Sequence, residues 1–153
     1  MTDPEFSKNI ITTLANLQSF LRKPMLTMRM KEFFTMSDSE CSDIVSSAMS
    51  VGCTIPFHTF SSLFKTWLEV SATLPENQRH DIFSRYVFEI CKRPDVAINF
   101  NYDGLLGVFL SLTKQEQNIL SKTFKNIVNT LNESQKKILI QLAPESIFRM
   151  IGL

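Results

Sequence analysis

Glycine is almost missing from this chain, with four residues in 153. That is too few for a turn-rich β-sandwich or for a loop that cradles phosphate through its backbone amides. Cysteine is equally sparse. Cys41, Cys53 and Cys91 are the only three, and no two have the short spacing of zinc ligands or of a redox dithiol. They read as reduced, mostly buried thiols of a cytoplasmic protein. Cys91 falls late in its expected helix, away from the N-terminal position that would lower a thiol pKa.

Two histidines, His58 and His80, lack the four-residue spacing of a helical metal pair. His58 reads as a loop or capping residue and His80 as a surface residue. Neither sign of charge dominates: 16 Lys and Arg stand against 15 Asp and Glu, for a net +1. This falls well short of the electrostatic footprint of a nucleic-acid binder. Lys122, Lys125, Lys136 and Lys137 read as the solvated faces of two late helices. Apolar runs are only a few residues long, so no membrane span is expected, and without a basic-then-apolar stretch among the first residues no leader is expected either.

What the chain has in quantity is Phe, 13 residues, and Met, seven, within a composition that is 44% hydrophobic and 20% charged. That balance suits one folded domain over residues 1–153. Helical patterning is clearest at Thr113–Leu131. Thr113 with Glu116 forms a capping box, Leu112 is placed as a hydrophobic staple, and Leu120, Phe124, Ile127, Val128 and Leu131 make an amphipathic stripe. The arrangement recurs earlier in the chain at Leu74, Pro75, Gln78, Ile82, Tyr86 and Ile90. It recurs again, one equal step further back, at Met36, Ser37, Glu40, Ile44, Ala48 and Gly52.

Taken in order, Asp3-Pro4 starts a helix whose stripe is Phe6, Ile10, Leu14, Leu17 and Leu21, ending before Pro24. Met25–Thr35 follows as a shorter helix with Leu26, Met30, Phe33 and Phe34 inward. Met25, Met28, Met30 and Met36 read as gap-fillers of an irregular core, with an adaptable binding groove as the alternative. Ser37 caps a light helix with Cys41, Ile44, Val45, Ala48 and Val51 inward, and Gly52 should end it in the left-handed conformation. Phe57–Thr73 carries Phe60, Leu63, Phe64, Trp67 and Leu68, with Trp67 expected in the core. The next helix begins at Pro75 and ends before Pro94.

Asp95–Asn101 reads as a loop that tucks its apolar side chains inward, since one alternating stretch has no sheet to join. Asn101 then caps a compact helix in which Gly104 and Gly107 hint at a close helix approach. Asn132 with Gln135 makes a second capping box, Pro144 ends that helix, and Ile147, Phe148 and Ile151 carry the pattern onward. The expected fold is all-α, with seven to nine short helices. Two arrangements fit: a 38-residue-period stack of helical hairpins of HEAT or armadillo type, or an irregular globular helical bundle.

No catalytic, cofactor-binding or metal residues are assigned. Cys53 and His58 are the nearest approach to a nucleophile and base, and they lack a third group. Serines are abundant without a nucleophile-elbow pattern. The expectation is a non-catalytic interaction or adaptor domain that binds another protein, or itself, through an apolar groove. The runners-up are a regulatory module binding nucleic acid and a module holding a small apolar ligand. A helix-turn-helix of Gly104–Leu112 and Thr113–Leu131 would place Glu116 where phosphate contacts belong, so nucleic acid is not the expected partner.

Overall fold

Helix starts recur at a fixed interval along this chain. Residues 4–150 are described in a computed structural model, side chains over 8–149. Within them the helices are α1 Pro4–Asn16, α2 Ser19–Phe33, α3 Asp38–Gly52, α4 Phe57–Thr73, α5 Glu76–Lys92, α6 Pro94–Ala97, α7 Tyr102–Leu110, α8 Lys114–Thr130, α9 Glu133–Leu142 and α10 Glu145–Met150. The described residues contain no strand. The N-cap residues Gln18, Ser37, Pro56, Pro75, Thr113 and Asn132 fall on one evenly spaced series. The one vacant step in that series falls at Pro94, which opens α6.

Each step is a sharp elbow, and several elbows are sealed the same way. The last carbonyls of a helix have no intrahelical donor. Four residues past the next cap, a side chain reaches back and supplies one. Arg22 donates to the carbonyls of Leu14 (3.1 Å), Ala15 (3.4 Å) and Leu17. Arg79 does the same to Ser71 (3.4 Å), Ala72 (3.4 Å) and Leu74 (2.7 Å). Gln117 donates to Leu110 (3.2 Å) and Leu112 (2.9 Å), and the Cys41 thiol to Phe33 (3.3 Å). A cationic side chain at a helix C-terminus also opposes the negative end of the macrodipole.

The N-terminal side of several elbows is held by the expected caps. Thr113 Oγ1 accepts from the Glu116 amide (3.1 Å), and Glu116 Oε1 accepts from the Thr113 amide (3.0 Å). Asn132 and Gln135 repeat this reciprocal pair at 2.8 and 3.0 Å. Ser37 accepts from Glu40 (3.2 Å) and Asn101 from Gly104 (2.9 Å).

Most of the packing joins helices two or more places apart in the chain. α2 packs on α4 and α4 on α7; α1 packs on α3, α3 on α5 and α5 on α8; α4 also meets α1 and α8. The result is the irregular helical bundle. The regular period is present in it, as like-placed helices lying side by side rather than as hairpins closed on themselves. One core joins these helices, with Val45, Val70, Val87, Leu120 and Ile127 each at 2% exposure or less. Full burial of one such side chain stabilises by roughly 1.5–3 kcal/mol. The α8 stripe is as expected, with Leu120, Ile127, Val128 and Leu131 buried and Phe124 half-buried against the core; Leu112 is buried too.

Several expectations are corrected. The first helix stops at Asn16, before Arg22, and α2 runs straight through Pro24. The break falls at Leu17-Gln18 because Arg22 seals α1 there, while Pro24 removes only one hydrogen bond, to the Phe20 carbonyl. Leu21 therefore belongs to α2, and it is exposed. Asp95–Asn101 opens as the helical turn α6 rather than as a loop. Ala97 is fully buried, while Ile98 points outward at 63% exposure.

Gly52 is not left-handed; it is the last residue of α3, followed by Cys53 in the right-handed region. Its small size is what matters, because a Cβ there would meet the rings of Phe100 and Phe60 at 3.2 Å. Gly104 makes the expected close approach, since a Cβ would lie 2.5 Å from the Phe57 ring, but Gly107 faces open space. The methionines divide: Met30 is buried and Met36 half-buried, whereas Met25 and Met28 are exposed. Phe6 and Ile151 lie outside the residues whose side chains are described.

Candidate functional site: the outer face of α2

The polar groups weighed for chemistry do not converge. Cys53 lies in the turn after α3, and its thiol donates to the Ser50 carbonyl (3.6 Å). His58 is exposed in the first turn of α4, and no hydrogen bond joins it to Cys53. His80 is half-buried, with Nδ1 3.3 Å from the Ser84 hydroxyl. Glu89 pairs with Arg93 (3.3 Å), which also donates to Ser46 and Ser50 (2.7 Å each) and so ties α5 to α3. Burial raises the thiol pKa of both Cys41 and Cys91, which holds them in the unreactive protonated form. Among the described residues no group of three or more His, Cys, Asp or Glu could hold a metal ion, and no helix is long and apolar enough to cross a membrane.

The aromatic side chains near Trp67 are structural. Its ring stacks on Phe64 (6.2 Å) and on Phe83 (5.2 Å) and meets Tyr86 edge-on (5.3 Å). Phe60 extends the ladder to Phe64 and Phe100, 5.9 Å each. Trp67 is half-buried and packs on the core, so this ladder fills the inside of the α4–α5 elbow.

Apolar side chains left outside the core gather on α2. Its inward side is Leu26, Met30 and Phe33, all buried. Its outward side carries Phe20 at 68% exposure and Met28 at 48%, with Leu21 and Met25 also exposed. Phe20, Pro24 and Met28 stand four residues apart and so lie in one row along the helix. With Ser19, Lys23, Thr27 and Lys31 they form one open surface along the helix. A separate open depression lies between Phe100–Asp103 and Gln141–Pro144. The other large exposed apolar side chains, Phe88, Ile98, Leu110 and Ile140, sit on four different elements or turns. Scattered single exposures are ordinary on a protein surface, whereas a contiguous row is not.

Residue patterning puts Leu21 on the first helix's inward stripe and counts Met25 and Met28 as core. The signal that separates them is the even spacing of the turns. With the elbows in that series, Phe20 and Leu21 open a new helix, and the row through Met28 becomes its far side.

The lysines considered for a basic patch remain ordinary surface groups: Lys122, Lys125 and Lys137 are exposed, and Lys136 lies 4.0 Å from Glu133. No protein-family model, curated protein or solved structure matches the chain.

Proposed function

We propose that this chain is a non-catalytic helical interaction domain that binds another protein along the outer face of α2. The supporting observation is the row Phe20, Pro24 and Met28, exposed beside Leu21 and Met25 on one helix whose opposite side is already packed. Exposing large side chains in a continuous row confers no folding stability, and such rows characterise recognition surfaces. A helix that offers apolar residues at four-residue spacing suits a second helix laid against it.

The test replaces Phe20 and Met28 together by Ser and compares the variant with the parent. Both side chains are outside the core, so the unfolding free energy should change by less than about 0.5 kcal/mol. Proteins retained from a cell extract by the immobilised parent should be lost from the variant. Equal retention by both would contradict the assignment of this face.

A further inference from the structure

We infer that the occupant of the α2 face is an acidic amphipathic helix, one whose apolar seam is flanked by Asp or Glu. This rests on the reading of the face as a binding surface and adds the partner's chemistry.

The residues of this open face define a seam. Phe20, Pro24, Thr27 and Lys31 are spaced four, three and four residues apart, which is the spacing that keeps one line of a helix against a neighbour. Lys23 and Met28 flank the seam. Lys31 thus sits within the contact line and Lys23 beside it. Both lysines are exposed, and among the described residues neither takes part in an ion pair. Arg29 and Glu32, by contrast, pair with each other at 3.4 Å. The other basic residue of α2, Arg22, is turned toward the end of α1. Two cations at the apolar contact are complemented by a helix with carboxylates at its flanking positions, which selects partner and orientation.

Two other occupants fit less well. In a two-fold dimer through this face each residue i meets j while j meets i. An antiparallel arrangement centred on Thr27 opposes Lys23 to Lys31 of the second copy, and the opposition of like charges is unfavourable. A helix lying in a membrane interface needs a broad apolar side. Here Thr27 and Lys31 fall within the contact line and the acidic Glu32 is exposed close by.

The test uses the intact chain and two synthetic helical peptides of about 20 residues, long enough to hold helix. They share one Leu seam and differ only in Glu or Lys at the flanking positions. Affinity is measured by fluorescence anisotropy at low and high salt, beside binding to vesicles of equal parts phosphatidylcholine and phosphatidylserine, and self-association by light scattering. The Glu peptide should bind about tenfold more tightly than the Lys peptide, as two pair attractions replaced by two repulsions imply. The gap should narrow as salt rises. The double variant Lys23→Glu/Lys31→Glu should invert the preference, while Ile140→Ser, a change remote from α2, should leave it alone.

Equal affinity for the two peptides, abolished by Phe20→Ser/Met28→Ser, would overturn the acidic partner and leave the apolar face standing. Self-association lost in that serine pair, without peptide binding, would put a second copy on the face and overturn the inference. Vesicle binding without peptide binding would overturn both the inference and the proposed function, and so would the absence of all binding.

Discussion

Arg79 ties the end of α4 and the start of α5 to α8. Only 7% exposed, it donates to Thr123 Oγ1 (2.9 Å) and to three carbonyls at the end of α4, and it pairs with Glu76. Thr123, wholly buried on α8, also donates to the Glu76 carboxylate (3.2 Å). The sequence shows Arg79 only as a charged residue in the first turns of a helix, a position that usually means solvent. What buries it is the elbow, a property of two successive helices. Arg79→Ala should destabilise by about 3 kcal/mol, because it strands buried acceptors while leaving the half-exposed Glu76 carboxylate hydrated. Urea denaturation checks it, and a loss below about 1 kcal/mol would mean that water replaces the guanidinium. Close by, the Ser71 hydroxyl is buried without a hydrogen-bond partner among the described residues. Ser71→Ala should therefore be neutral or stabilising by about 1 kcal/mol.

Tyr86 gives a pH-dependent counterpart. Burial pushes its phenol from the ordinary 10 up to about 12. The folded state thus holds the proton more tightly than the unfolded state, and the stability that this represents is complete below pH 10. It is lost as pH rises through the folded value near 12. Stability measured from neutral to pH 12 should fall across that window, and Tyr86→Phe should flatten part of the fall. Burial also pushes Tyr102, whose hydroxyl donates to the Ala97 carbonyl (2.7 Å), up to about 12, and raises the Cys41 and Cys91 thiols, so these groups share the rest of the alkaline fall.

Among the elements, α8 is the most legible in the sequence and α2 the least. For α8 the capping box and the apolar stripe are local features, and both are found where the residues place them; the expected staple at Leu112 has the polar Gln117 opposite it, which instead donates to the Leu112 carbonyl. In α2, Pro24 suggests a boundary, and two stripes on opposite sides of one helix resemble the single stripes of two shorter ones. The series Pro56, Pro75, Pro94 displays the even interval in the sequence itself. Other elbows begin with Gln, Ser, Thr or Asn, which hides the series from any one-residue rule. Gly52 misleads for a similar reason: its role is set by Phe60 and Phe100, which lie outside its own helix.

The α4–α5 elbow bears the test of the aromatic ladder. Trp67→Ala removes the ring that Phe64 and Phe83 both stack on and should cost about 3 kcal/mol, near the low end for buried aromatics because Trp67 is half-exposed. Lys65→Ala, at an exposed position of the same helix, should change stability by less than about 0.5 kcal/mol. Similar denaturation midpoints for the two variants would show that the ladder is not part of the core.

For the molecule as a whole, the all-α class is readable from caps and periodicity. How the helices pack is not. The regular recurrence suggests hairpins, yet most of the helix packing joins elements that are not consecutive in the chain. That geometry gives α2 a packed side, on α4, and an open side. The open side carries the function proposed for the chain, and a photo-crosslinking amino acid placed at Met28 tests it most directly in living cells. With the same probe at Lys137, an exposed position on α9, as reference, Met28 should yield a discrete adduct with another protein that Lys137 does not. Absence of an adduct at Met28, or the same adducts from both positions, would contradict the assignment of α2 as the binding surface.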